Sequence, residues 1–126
     1  MASSINVQPQ LLDIKLYAGD GVEIRLVWTD NTGDPLDVNG AVTAQIRSTR
    51  LSPDPPITEF SSNLVDAYQG IVILSLTGAQ TKDLIDDPST KNGKFSGVWD
   101  IQWTPFDSEP RTLCQGSVEC VVDVTR

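Results

Sequence analysis

Histidine is absent from this chain, and that gap removes more chemistry than any other feature of the sequence. It takes away the commonest general base, the commonest transition-metal ligand, and every Ser-His or Cys-His nucleophile pair. Basic residues are scarce as well: nine Lys and Arg stand against 17 Asp and Glu, a formal net charge of −8 in 126 residues. The basic positions are scattered between Lys15 and Arg126, which argues against binding a nucleic-acid backbone through counterion release. The acidic balance also works against anionic membrane surfaces and favours solubility or a partner with a basic patch.

Long apolar runs are missing too. Ile71-Val72-Ile73-Leu74 is the longest in the central region, far short of the roughly 20 residues of a spanning helix. The first ten residues contain no basic residue followed by an apolar block, so they do not read as a signal peptide and synthesis in the cytoplasm is expected. The two cysteines, Cys114 and Cys120, lie six positions apart on one face of a strand pattern. A regular strand puts their alpha carbons roughly 20 Å apart, whereas a disulfide needs less than about 7 Å. They are expected to be free thiols packed as small hydrophobes.

What is present is strand grammar. The length fits one domain able to bury roughly 65–70% of its unfolded surface. Residues 1–10 are polar, contain Pro9 and show no periodicity, so they read as an amino-terminal arm, with the folded domain over residues 11–126. Leu12, Ile14 and Leu16 alternate with Asp13 and Lys15, and Gly19-Asp20-Gly21 follows as a tight turn. Val22, Ile24, Leu26 and Trp28 then form the cleanest amphipathic strand, and the two patterns predict a hairpin. Val42, Ala44 and Ile46 mark a third strand. Pro53, Pro55 and Pro56 then impose a surface loop or a crossing between sheets.

Residues 57–64 read as a weaker strand, and residues 71–76 as one that is apolar on both faces and therefore central or covered twice. Thr77 and Gln80 have capping-box spacing, which predicts a short helix over residues 78–85, ended by Asp86-Asp87-Pro88. Two strands over residues 98–104 and 112–124 close the chain as a hairpin, with its turn at residues 105–110. In its second arm Cys114, Gly116, Val118, Cys120, Val122 and Val124 occupy the inward row. Strands at this spacing without helical alternation predict a two-sheet sandwich, with a closed barrel as the alternative.

Candidate chemistry is thin. Asp86, Asp87, Asp100, Asp107 and Glu109 are the carboxylates from which a two-acid hydrolase would have to be built; acidic residues in loops are usually solvated, and no enzyme activity is expected. Asp30, Thr32, Asp34 and Asp37 alternate like oxygen ligands for calcium, but depart from the EF-hand spacing, and Asx turns are the simpler account. Trp28 shares the inward face of its strand and reads as core. Trp99 and Trp103 share a face with Ile101 and read as core, or else as a binding platform or subunit contact. No metal and no cofactor is implied.

Three elements, in order, carry a family resemblance. The first is Leu16-Tyr17-Ala18-Gly19-Asp20, then Thr29-Asp30-Asn31-Thr32-Gly33-Asp34-Pro35-Leu36-Asp37 and Gly40-Ala41-Val42-Thr43-Ala44-Gln45-Ile46-Arg47. The second is Leu76-Thr77-Gly78-Ala79-Gln80-Thr81; the third is Trp99-Asp100-Ile101-Gln102-Trp103, then Leu113, Gly116, Val118 and the ending Asp123-Val124-Thr125-Arg126. In this order the chain resembles small Ig-like virion proteins of tailed bacteriophages, including the amino-terminal domain of siphophage upper baseplate proteins. It departs from them in a longer proline-rich loop around Pro53 and in stopping at Arg126 instead of continuing into a coiled coil or receptor-binding region.

The resemblance implies an all-β fold, an Ig-like two-sheet antiparallel sandwich of seven or eight strands with one short helix. It also implies a non-enzymatic structural role in the virion, as a tail or baseplate adaptor or minor tail protein, or else a head decoration protein. Partners would be other virion proteins in a symmetric multi-copy assembly, with no nucleic acid and no membrane. The expected contacts are Ser3, Ser4, Ile5, Asn6, Val7 and Gln8 of the arm, Pro53, Pro55 and Pro56 of the loop, and Phe106, Asp107, Glu109 and Arg111 of the closing turn. The competing reading is a small carbohydrate-binding module with Trp99, Trp103 or Phe106 stacking on a glycan.

Overall fold

The computed structural model describes residues 10–30, 32–49, 55–106 and 108–122. Its longest elements are the two arms of the closing hairpin, β8 (Lys94–Thr104) and β9 (Arg111–Val121). On the far side of β8 lies β4 (Ala41–Arg47), antiparallel, followed by the short β5 (Thr58–Glu59). On the far side of β9 lie β1 (Gln10–Leu11) and β2 (Ile14–Tyr17), both parallel to it. A second sheet has the order β3 (Val22–Val27), β7 (Ile71–Leu76), β6 (Ser61–Asp66), all antiparallel.

Alternation along these strands builds one core between the sheets. β8 contributes Phe95, Trp99, Ile101 and Trp103, β4 contributes Val42, Ala44 and Ile46, and β7 contributes Val72, Leu74 and Leu76, all buried. Two sheets sharing one apolar layer, with the first strand crossing to run beside the last, make an immunoglobulin-like β-sandwich. The helix α1 (Gly78–Ile85) caps one end. Its capping box is formed as the spacing predicts: Gln80 N donates to Thr77 Oγ1 at 3.2 Å and Thr77 N donates to Gln80 Oε1 at 2.8 Å. β7 is the middle strand of its sheet, as its two apolar faces require.

The strand pairing differs from the sequence reading in three places. The hairpin expected from residues 12–16 and 22–28 does not form, because β2 pairs with β9 and β3 with β7, in different sheets. Gly19-Asp20-Gly21 is a corner between layers. Gly19 N donates to Thr81 Oγ1 at 3.0 Å, and Thr81 Oγ1 donates to Asp20 O at 2.9 Å, so the helix holds the corner. The apolar rows of the two strands face each other across the core, where each buries more than it would side by side. Amphipathic alternation fixes which face is buried and is silent about the neighbour.

The second difference is that the strand expected over residues 57–64 divides at Phe60. Thr58–Glu59 pairs with β4, whereas Ser61–Asp66 pairs with β7. Phe60, buried, packs at the crossing with its ring centroid 5.6 Å from that of Trp99. Together with the break between β1 and β2, this gives nine strand segments among the described residues, where seven or eight are expected, and the parallel β1 and β2 depart from an all-antiparallel sandwich.

Third, the inward row of β9 is interrupted. A bulge opposite Ile101 and Gln102 leaves Leu113 as the extra residue, so Leu113 and Cys114 are both buried. Gly116, Val118 and Cys120 continue the row, but Val122 lies outside the strand and is exposed, and Val124 falls outside the described residues.

The crossing of the first strand rests on a short break at Leu12 and Asp13. Leu12 N donates to Gln115 O at 3.0 Å, while its carbonyl accepts from Trp99 Nε1 at 2.7 Å. Asp13 Oδ1 accepts from Ser117 N at 2.9 Å, a bond that holds the Asp13 carboxyl below its ordinary range. Gly116 makes room for this: a Cβ there would lie 2.0 Å from Leu12 O. Gly116→Ala is therefore expected to destabilise the fold by about 1–3 kcal/mol, the usual cost of overpacking. A lower urea midpoint at unchanged m-value would report it; an unchanged midpoint would show that the first strand is not held against β9 in this way.

Candidate interaction surface

The strand ends gather at two poles. At one, the loop of residues 28–40 lies between the 3-10 turn Ala67–Gln69 and the β8–β9 connection. Trp28 N donates to Gly70 O at 2.9 Å, Leu36 N to Trp28 O at 3.0 Å, and Val38 N to Ala67 O at 2.9 Å. On its other flank Asn39 O accepts from Trp103 Nε1 at 2.9 Å, and Gly40 sits against the backbone of Thr104 and Pro105. Gly40 and Gly70 have φ of 129° and 73° and touch neighbouring backbone where a Cβ would intrude, so both turns are specified by glycine.

Apolar exposure is concentrated here. Of the eight large hydrophobic side chains exposed among the described residues, Val27, Val65, Tyr68 and Phe106 belong to this end of the strands, while Leu11 and Leu12 lie farther along, beside the middle of β9. Leu11, Phe106 and Tyr68 are 78%, 75% and 71% exposed. Tyr17 and Val122 lie at the other pole. Between β1 and the end of β3 runs a cleft of about 190 Å³ lined by Leu11, Leu12, Leu26, Val27, Trp28, Thr29 and Cys114. Trp28 is buried, yet its Nε1 has no hydrogen-bond acceptor.

The sequence-predicted contacts divide between the poles. Phe106 and Glu109 are exposed at the apolar pole, and Arg111 is half-buried beside them with its guanidinium 5.9 Å from the centre of the Trp103 ring. Pro55, exposed, and Pro56, half-buried, belong to the opposite pole, separated from Phe106 by the length of β4 and β8. Ser3, Ser4, Ile5, Asn6, Val7, Gln8, Pro53 and Asp107 lie outside the described residues, although the chain enters β1 at the apolar pole. Sequence reasoning misses Leu11, Leu12, Val27 and Tyr68. The available signal is Val27, which follows Glu23 and Arg25 in the solvent-facing row of β3 where a polar residue is expected.

The remaining candidates resolve into structural parts. Trp99 and Trp103 are buried, with both indole nitrogens donating to backbone carbonyls, so neither presents a stacking face. Asp30 Oδ1 accepts from Thr32 Oγ1 at 2.6 Å, Thr32 N at 2.9 Å and Asp34 N at 3.1 Å. The Thr32 hydroxyl and amide hold the Asp30 carboxyl below its ordinary range. Asp37 Oδ1 likewise accepts from Asn39 N at 2.9 Å; these are Asx turns. Among the described residues no cluster of three His, Cys, Asp or Glu could hold a metal ion, and no helix is long and apolar enough to cross a membrane.

Among the described residues the candidate acids do not converge. Asp86 and Asp87 follow α1 at one pole, where Asp87 Oδ2 accepts from the backbone and hydroxyl of Ser89, and Glu109 sits at the other. Asp100 lies between them, in a groove on the outer face of the larger sheet shared with Gln45, Arg47, Val98 and Gln115.

No family model and no curated protein matches the chain. Among solved structures it is similar to a chain of the ZIG-8–RIG-5 IG1–IG1 heterodimer, at 13% identity over 97% of this chain and 90% of that one, with a TM-score of 0.40. Likeness at that level carries no argument. The fold assignment stands on strand order and register.

Cys114 and Cys120 are free and buried. Burial pushes both thiols up from 9.0 to about 11, so neither offers a thiolate nucleophile near neutrality. A raised folded-state value makes the thiols' contribution complete below pH 9 and lost as pH rises towards 11. Urea midpoints are expected to fall over that window by an amount equivalent to about 2 kcal/mol per thiol. Cys114→Ala with Cys120→Ala should flatten this alkaline limb; an equal loss in the variant would show that other groups titrate there.

Proposed function

We propose that this chain is a non-enzymatic structural protein of a tailed-bacteriophage virion, a tail or baseplate adaptor or minor tail protein, assembling in multiple copies through protein–protein contacts. The observation that carries the reading is exposed apolar surface at one pole and along the adjoining cleft: Val27, Val65, Tyr68 and Phe106 at the pole, with Leu11 and Leu12 in the cleft between β1 and β3. Exposed apolar side chains in this number on one pole and its flank support an association surface. The order of motifs shared with small Ig-like virion proteins supplies the setting. In this fold those motifs are its joints: the corner after β2, the loop at the pole, the helix cap and the buried centre of β8.

The reading places the protein in the virion after synthesis in the host cytoplasm, with other virion proteins as partners. Glycan binding is the weaker reading, since Trp99 and Trp103 are buried and, of its three aromatics, only Phe106 remains exposed. Two measurements separate them. Mass spectrometry of purified heads and tails should find the protein in stoichiometric amount, the fraction deciding tail adaptor against head decoration. Tyr68→Asp combined with Phe106→Asp should leave thermal unfolding unchanged and lower incorporation at least about tenfold, the equivalent of about 1.4 kcal/mol. Absence from particles, or saturable binding on a glycan array lost in Phe106→Asp, would sink the virion assignment.

A further inference from the structure

The side of the sandwich where β1 and β3 face each other is incomplete in three respects. β3 is an edge strand among the described residues, paired with β7 alone. Because Trp28 N bonds to Gly70 O in register with the β3–β7 ladder, the backbone groups of Glu23, Arg25 and Val27 point away from β7, as a sheet edge open to another strand. The cleft beside this edge is walled by Leu11, Leu12, Leu26 and Val27. Trp28, more than nine-tenths buried on that cleft, has an indole N–H with no acceptor. An unpaired buried donor costs about as much as a lost hydrogen bond, and a passing backbone carbonyl would satisfy it.

What fits is a short, uncharged, partly apolar backbone strand. The chain supplies one: residues 2–10 carry no charged side chain, and Ile5 and Val7 alternate with Ser4, Asn6 and Gln8. Its direction decides between one molecule and two. β1 runs parallel to β9 and starts at the apolar pole, so the chain reaches Gln10 from the pole side. To lie along β3 of its own domain it would have to reverse at Pro9 and Gln10, within about two residues, whereas β3 of a neighbour needs no reversal. The arm also meets no charge conflict at the exposed Glu23 and Arg25.

We propose that the cleft between β1 and β3 receives residues 3–8 of a second copy of this chain, which add a strand to the open edge of β3 and set Ile5 and Val7 against the apolar wall of the cleft. This is strand addition, in which main-chain hydrogen bonds give affinity and alternate side chains give specificity. Exchanged two-fold it makes a dimer; passed from copy to copy it makes a ring or a filament. The proposal deepens the multi-copy reading above and rests on it for the setting in which copies meet.

Sedimentation of the full chain across a concentration series should show reversible self-association. A chain beginning at Gln10 should be monomeric with its thermal midpoint at low concentration unchanged. A synthetic peptide of residues 2–10 should bind that truncated chain saturably and change Trp28 fluorescence. Val27→Asp, at an exposed position, should weaken peptide binding at least tenfold without unfolding the domain. A full chain that is monomeric throughout overturns the proposal. If truncation of that monomer still alters Trp28 emission, the arm occupies its own domain instead; if it does not, the arm is no occupant. Either result leaves the virion reading intact, since that is decided by the composition of particles.

Discussion

The fold depends on one crossing hydrogen bond and the space that permits it. Trp99 reaches from the middle of β8, beneath β9, to donate to the carbonyl of Leu12. That bond replaces a ladder contact where the first strand breaks, and it can form only because Gly116 presents no side chain between them. A buried carbonyl at a strand break without such a donor would carry the cost of an unpaired polar group. Satisfied, it lets β1 and β2 follow β9 from one pole towards the other. The indole thus serves as core and as splice at once, which explains why a tryptophan is needed at a position that a plain hydrocarbon would fill.

Once the first strand lies on β9, the rest of the architecture is constrained. β2 ends at the helix pole, so the chain must pass to the other layer before β3, and Thr81 of α1 bonds the corner that makes that passage. β3 is left at the side of its sheet beside β1. The same splice that completes the larger sheet leaves the smaller one with an open edge, and the cleft lies between them. The apolar pole and the cleft are therefore consequences of the topology, since both sit where the first strand enters the fold.

Much of this is legible in the sequence, and what is not has a physical reason. The capping box at Thr77 and Gln80, the two-sided strand of residues 71–76, the closing hairpin and the separation of the two cysteines follow from local spacing, and the structure has each of them. Pairing partners are non-local, so alternation in residues 12–16 and 22–28 reads equally well as a hairpin or as two layers. The division at Phe60 escapes notice because one apolar residue can serve both sheets at a crossing. Of the candidate surface, Phe106, Glu109 and Arg111 are visible as a turn, whereas the exposure of Leu11, Val27 and Tyr68 is set by tertiary folding.

Charge then limits where such a protein can associate. With a formal net charge of −8, two copies approaching at random repel, and only a contact that buries enough apolar area offsets that repulsion. The polar outer faces of the strands cannot provide it. The cleft side can, because its apolar wall is continuous with an edge able to accept main-chain hydrogen bonds, and these do not depend on side-chain charge. A strand without charged residues adds no repulsion of its own on arrival. An acidic sandwich therefore resists lateral clustering through its polar faces, and association is favoured only where exposed apolar surface and a strand edge lie side by side.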